Sequence, residues 1–481
     1  MTRILDFFTI AEAALITGAD FFPSHAGMSV MSQNFRCDSR DVERGDVFVA
    51  MPGERDDGHN YIKKSVESGA SCVILDAAYF EENQDEMSGL DTIMLVVSNS
   101  SGAMAKLARA WLDKVSPRVV GITGSVGKTT TREFLRSALK DVFLTHSAKK
   151  SYNTMVGCGM TILAMPRNTE VLILELGTSH IGDIEELVKN FPVTHGIITE
   201  AAPAHLDGLK SLDGVVAAKM EIMKSESMQF LSYNSDNENL AAAISRNMKD
   251  IAPDRGNINT ISVGYSDSGV QIRDVRQSVS DTIVPMLSMR LSRGDRDFSC
   301  DANVFGRQHA RNIAFAYAAS IQLGARDEDF MKSVASFKIP SGRGVLLKAI
   351  GGGILVDESY NSNPSSVSHA LKNLLELELE PEFRRIAILG GMRELGEESA
   401  RWHEIIRSRA SLLDELYLIG SEWGEAETKS DALKGIWGTV DEFILNFDFK
   451  SLPKSIILIK GSRFYGLDRL LKYFEAERND N

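Results

Sequence analysis

The chain has 481 residues, of which 43% are apolar and 25% charged, and its formal net charge is -13. That length anticipates about three domains, and the composition excludes a disordered chain. The acidic balance excludes a general nucleic-acid binder, which needs Lys and Arg to neutralise a phosphate backbone.

Cys37, Cys72, Cys158 and Cys300 are scattered without a CxxC pair, so neither a zinc site nor a disulfide framework is expected. A reducing compartment, the cytoplasm, follows as an expectation. Asp6 and Glu12 interrupt the N-terminal apolar stretch, and no apolar run approaches the roughly 18 residues that read as a membrane span. No stable membrane insertion is expected.

Residues 1–114 read as a first α/β domain. SVMSQNF, GDVFVAM, SCVILD and TIMLVVS have strand character, IKKSVESGA reads as a short helix, and ALARAWLDKVSP ends the domain with a helix before Pro117. Residues 115–338 read as a central domain with the strands VFLTH, VLILELG, HGIITE, FLSYN and NTISVGY. The alternation after Val270 suits antiparallel strands added at a sheet edge. From 339 to 481 the strands GGILVDES, RRIAILGG, LDELYLIG and SIILIKGS alternate with helical segments, and the polar tail EAERNDN is expected to fray. The expected fold is α/β with three domains: a central P-loop-type, doubly wound, mostly parallel sheet flanked by an N-terminal α/β domain and a C-terminal Rossmann-like one. No coiled-coil heptads appear, which favours a monomer.

The chemistry concentrates in RVVGITGSVGKTTTREFLRSALK, residues 118–140. A short apolar strand runs into a turn and then a helix whose Phe134, Leu135, Ala138 and Leu139 share one face. Gly124, Ser125 and Gly127 let backbone approach an anion, the helix N-terminus offers free N–H groups, and Lys128 adds a full charge. The strict P-loop pattern fails because Ile122 stands where its first Gly belongs. Gly-Lys-Thr-Thr is intact, with Thr129 and Thr130 opening the helix and Thr129 placed to ligate Mg²⁺.

Other candidates lie at strand ends. Glu175 follows Val171–Leu174, where doubly wound sheets hold their ligands, and suits Mg²⁺. His205 follows another strand, and a lone loop histidine is as readable as a surface residue. Lys219 shares a helix face with Leu212, Val215, Val216, Ile222 and Met223. It either snorkels to water or is buried as a neutral amine able to take CO₂ as a carbamate. Arg343 lies in a Gly-flanked loop from which it could reach a phosphate, and Asp357 ends the strand GILVD; either could be loop structure alone.

With these residues in place, the sequence resembles the Mur ligase family, ATP-dependent amide-bond-forming enzymes of peptidoglycan synthesis. The resemblance rests on DSR and FVAMPGERDDGH, TGSVGKTTT, LELGTSH, AHLDG, SLDGVVAAKMEI, Asn312, VDESYNSNP, GMRELG and IKGSR, which span all three domains. VDESYNSNP with GMRELG points to the branch that joins D-Ala-D-Ala to UDP-MurNAc-tripeptide through an acyl phosphate. The resemblance implies that Lys128 and Thr129 hold ATP phosphates and Mg²⁺, and that Glu175 serves the first metal ion. His205 and a carbamylated Lys219 would serve a second ion. It implies Asn312 against adenine, Arg343 and Asp357 against ATP, and Ser39, Arg40 and Asn153 for substrate. It also implies closure of the third domain over the second to exclude water, so an open form is expected without ligands. Val126, Thr154, Met155, Glu200, Gln308, His309 and Gly391 depart from the family's usual residues. The alternatives are another amide ligase of the superfamily, such as a folate-directed one, or a non-catalytic nucleotide-binding scaffold.

Overall fold

The computed structural model describes residues 8–23, 32, 34–53, 56–148, 151–255, 258–424 and 430–476, and its strands gather into three sheets. The first holds β1 (Asp20–Phe22), β2 (Phe35–Arg36), β3 (Val47–Val49), β4 (Cys72–Asp76) and β5 (Ile93–Val97) in the order β1-β5-β4-β3-β2. All its pairings are parallel except β1 with β5. β3 is fully buried and β4 nearly so, as unbroken apolar runs in a sheet covered on both faces must be.

The central sheet holds β6 (Arg118–Thr123), β7 (Thr145–Ser147), β8 (Val171–Glu175), β9 (His195–Ile198), β10 (Phe230–Asn234), β11 (Asn259–Gly264), β12 (Val270–Val279), β13 (Pro285–Arg293) and β14 (Arg296–Ala302). Their order is β14-β13-β12-β11-β10-β9-β6-β8-β7. The alternating segment after Val270 pairs antiparallel with itself and extends the parallel part at one edge. β6 lies between β8 and β9, so the chain winds away from it in both directions. That is a switch point, where a crevice opens at the carboxyl ends of the strands.

The third sheet holds β15 (Val345–Lys348), β16 (Ile354–Glu358), β17 (Arg384–Gly390), β18 (Glu415–Ile419), β19 (Leu433–Trp437) and β20 (Ser455–Lys460), ordered β15-β16-β20-β17-β18-β19. Only β15 runs antiparallel. β1, β15 and β19 escape the sequence pattern because they are edge strands, partly exposed and without an unbroken apolar run. Of SVMSQNF, only Phe35 enters a strand; residues 29–31 and 33, like the tail from 477, lie outside the described residues.

The first and central sheets share one hydrophobic core. The helix Ser100–Val115, capped by the Asn99 side chain on the Gly102 amide at 2.6 Å, buries Ala103, Met104, Leu107, Ala108, Trp111 and Leu112 at helical spacing. These side chains join Val47 and Ile74 on one side to Leu172 and Ile198 on the other, and Trp111 Nε1 donates to the Met165 carbonyl at 2.9 Å. The third domain meets the central one differently. Phe305, with Val279 and Ile283 beside it, enters the third sheet's core, and away from these residues the named contacts are polar. They are made, so the structure describes a closed cleft rather than the open form expected from the sequence. Among the described residues no helix is long and apolar enough to cross a membrane.

Candidate active site

β6, β8 and β9 end side by side and deliver three segments to one crevice. After Thr123 the chain turns through Gly124–Gly127 into the helix Lys128–Leu139. Gly127 is left-handed at φ +88, and a Cβ there would come within 2.6 Å of Asn312 Oδ1, so only glycine fits both the turn and the space. No side chain caps this helix N-terminus, which leaves its first amides to a ligand. Lys128 Nζ donates to the Gly124 carbonyl, which holds the ammonium against the loop. Burial pushes its pKa down, and Glu175 opposes that shift.

Glu175 closes β8 and is 2% exposed. Its Oε1 meets Arg132 Nη1 at 2.8 Å, and its Oε2 accepts from Thr129 Oγ1 at 3.1 Å. Thr129 Oγ1 also lies 3.1 Å from Ser151 Oγ and accepts from Arg343 Nη2 at 2.9 Å. The guanidinium has come from the third domain and rests on the Tyr360 ring, 4.3 Å from its centroid. The Tyr360 hydroxyl donates to Ser151 Oγ at 2.9 Å, and Asn363 Nδ2 to the Ser125 carbonyl at 3.3 Å.

A cavity of about 310 Å³ runs between the two domains and brings together Ser125, Gly127, Lys128, Thr129, Thr130, Asn153, Glu175, His205, Asn312 and Arg343. A second, also about 310 Å³, is lined by Thr154, Met155, Gly177, Thr178 and Asp183, and Lys128, Asn153 and His205 stand on both. Four candidates lie outside both cavities. Asp357 is 3% exposed and lines neither cavity; it accepts from the Gly342 amide at 2.7 Å and from Ser359 Oγ at 2.6 Å. Its carboxylate holds the loop that carries Arg343. Lys219 also lines neither cavity, although it is only 2% exposed. Ser39 and Arg40 sit in a short turn of the first domain outside both cavities, where Asp38 takes the Arg40 amide at 3.0 Å and its guanidinium at 2.6 Å.

Burial drives the Lys219 ammonium well below its usual pKa, and Lys128 adds to the effect while Glu221 and Asp183 oppose it. Glu221 is itself engaged, accepting from the amides of Gly182, Ile184 and Glu185 at 2.7, 3.2 and 3.1 Å. That shift favours the unprotonated amine, which is the nucleophilic form.

The sequence reading passed over several cavity residues. Glu358 and Lys460 end the neighbouring strands β16 and β20, pair at 3.1 Å and are both nearly buried. The signal was available: Lys460 closes an apolar run as Glu175 does, and Glu358 follows Asp357 at the end of another. Arg311 pairs with Glu200 at 3.4 Å and Asp236 at 2.8 Å, and Ser151, Tyr360 and His369 complete this part of the wall.

The donor set fits Mg²⁺ in part. Thr129 Oγ1, Ser151 Oγ and Glu175 Oε2 converge as oxygen donors, which suits a hard cation. Among the described residues no three His, Cys, Asp or Glu side chains form a cage. An ion here would therefore share its coordination with phosphate oxygens supplied by a nucleotide.

Models of three domains match the chain: "Mur ligase family, catalytic domain" over residues 33–112, "Mur ligase middle domain" over 122–320 and "Mur ligase, glutamate ligase domain" over 342–463. A Rickettsia prowazekii protein named UDP-N-acetylmuramoyl-tripeptide--D-alanyl-D-alanine ligase is 29% identical over 93% of this chain and 96% of its own length. A Bacillus subtilis protein of the same name is 28% identical over 76% of this chain and 75% of its own. The crystal structure of MurF ligase from Thermotoga maritima in complex with ADP superposes with a TM-score of 0.75 at 27% identity, covering 92% of this chain and 96% of that one. With its phosphate loop, its three-sheet order and these matches, the chain belongs to the Mur ligase family.

Proposed function

We propose that this chain is the ATP-dependent, ADP-forming ligase that joins D-alanyl-D-alanine to UDP-N-acetylmuramoyl-tripeptide, giving the pentapeptide precursor of peptidoglycan. The observation that carries the reading is a cavity walled on one side by a phosphate loop and on the other by Arg343 from a separate domain. The names of relatives aligned along most of the chain support the choice of substrates.

ATP gives its γ-phosphoryl group to the terminal carboxylate of the tripeptide, making an acyl phosphate and ADP. The dipeptide's amine, as the free base, attacks the acyl carbon, and the tetrahedral adduct collapses with phosphate leaving. The first step gathers anions, so positive charge must be in place beforehand. The amides at Gly124–Gly127, the Ser125 and Thr130 region, Lys128 and Arg343 supply it. Asn312 serves the adenine side, and Asp357 acts by fixing Arg343's loop. Asn153, on both cavities, serves the substrate in this reading, and Ser39 and Arg40 serve its UDP-sugar.

Two Mg²⁺ ions belong to this reading, one at Thr129 and Glu175 and one at His205 and a carbamylated Lys219, and they supply charge neutralisation for phosphoryl transfer. Burial that disfavours the ammonium leaves the free amine that reacts with CO₂, with release of a proton, and the cationic Lys128 nearby would favour the negative charge of the carbamate. The enzyme acts as a cytoplasmic monomer in this reading; its four free cysteines accord with a reducing compartment.

The test is phosphate release from ATP and Mg²⁺ with each substrate omitted in turn, using tripeptides that carry lysine or diaminopimelate. Release that needs both substrates and yields the UDP-linked pentapeptide is expected. ATP binding without release on either tripeptide would move the reading to another acceptor or to a scaffold.

A further inference from the structure

We propose that Glu394 is the positioning residue through which the third domain, on closing, orients His205. The inference rests on the ligase reading above for its consequence, but its geometry stands by itself.

His205 heads the short helix Leu206–Leu209 in the central domain, and its Nδ1 meets the carboxylate of Glu394 from the loop after β17. The Glu394 carbonyl also accepts from the Leu206 amide at 3.0 Å. One residue of the third domain thus grips the His205 segment by side chain and by backbone. Both partners are non-glycine residues in the left-handed region, His205 at φ +53 and Glu394 at φ +63. Such conformations are disfavoured for residues with a Cβ and persist where surrounding contacts hold them. Two facing each other across a domain boundary mark a contact built for its side chains. The approach is close: a Cβ on Gly396 would fall 2.5 Å from Asp207 Oδ1.

The consequence is one of orientation. The Glu394 carboxylate lies against the Nδ1 edge of the ring without an aligned hydrogen bond, which limits the ring's rotation and leaves Nε2 as the nitrogen it does not cover. A histidine on both cavity walls would then present Nε2 to a metal ion from a fixed ring only when the third domain is in place. Closure does not depend on this pair, because Arg343–Thr129, Tyr360–Ser151 and Asn363–Ser125 bridge the same cleft. What Glu394 contributes is the state of His205.

Two variants test it. Glu394→Gly removes the carboxylate and suits φ +63, so it folds at least as well as the native chain. Glu394→Gln keeps a side chain of the same reach with an oxygen to place against Nδ1. The readouts are Mn²⁺ binding followed by electron paramagnetic resonance with a non-hydrolysable ATP analogue, and kcat with KM for ATP. For Glu394→Gly we expect one class of Mn²⁺ site to weaken by about tenfold or more and kcat to fall about 10–100-fold, with KM for ATP within about twofold. Glu394→Gln should recover most of both losses. Native Mn²⁺ binding and kcat in Glu394→Gly, a loss confined to KM for ATP, or no recovery with glutamine would overturn the role. If the native protein ligates nothing while the Mn²⁺ difference persists, the ligase reading falls and the positioning role stands.

Discussion

The central domain has two junctions. Towards the first domain the contact is apolar and continuous, with Trp111 and Leu107 packed in the same core as Val47 and Leu172. Towards the third it is mostly a set of single polar contacts, Arg343 to Thr129, Tyr360 to Ser151 and Glu394 to His205, with the apolar part confined to Phe305, Val279 and Ile283. Apolar burial is non-directional and is lost if the surfaces separate in water, whereas polar groups exchange partners with water at small net cost. One junction is therefore fixed and the other is built to open, and the reacting groups are gathered at the one that opens.

The largest effect should come from the chemistry that the opening junction serves. Lys219→Ala should lower turnover by about 10³-fold or more, the upper range for removing one preorganised charge-stabilising group. A small carboxylate supplied in trans should recover part of the loss. Stability should be little changed, because the variant removes a buried group that burial already disfavours as a cation. Native turnover by this variant would contradict the carbamate.

The fixed junction should respond in the opposite sense. Trp111→Ala should cost about 3–5 kcal/mol of unfolding free energy by urea titration, with little change in KM for ATP. Its loss should lower one cooperative transition shared by the first and central domains; early, separate unfolding of the first domain would show that the joint is not continuous.

Acid should weaken the central domain by a smaller amount. Burial lowers the pKa of His195 and of His309 from 6.5 to about 4. The unfolded chain takes up protons first, so this stability is present above pH 6.5 and is lost as pH falls towards 4. Each group contributes no more than about 3 kcal/mol. His195→Asn should flatten the dependence of the urea midpoint on pH over that window. The smallest effect belongs to Tyr360→Phe, which removes one hydroxyl bridge of 2.9 Å but keeps the ring under Arg343. About 1 kcal/mol or less is expected, with a few-fold rise in KM for ATP if the bridge holds the cleft.

Much of this architecture is visible in the sequence because it depends on local pattern. Val119, Val120 and Ile122 read as a buried strand, Gly-Lys-Thr-Thr as the start of a helix, and the strand-end position singles out Glu175. The helical wheel also places Lys219 on an apolar face, and the structure buries it. Applied evenly, the strand-end rule would have found Glu358 and Lys460 as well. The helix Ser100–Val115 reads as the end of one domain, yet its buried face belongs to a core shared by two, which periodicity alone does not reveal. The closed cleft is illegible for a different reason. Its contacts are made by single residues far apart in the chain, 214 positions in the case of Arg343 and Thr129, and no local pattern records them.

The account's central claim is phosphoryl transfer to a carboxylate inside the cleft that opens. The direct measurement uses tripeptide labelled with ¹⁸O in its terminal carboxylate, followed by mass analysis of the phosphate released in the presence of ATP and D-Ala-D-Ala. The account predicts one ¹⁸O atom per phosphate, with ADP as the other nucleotide product. Phosphate free of label, or AMP and labelled adenylate chemistry in its place, would contradict it.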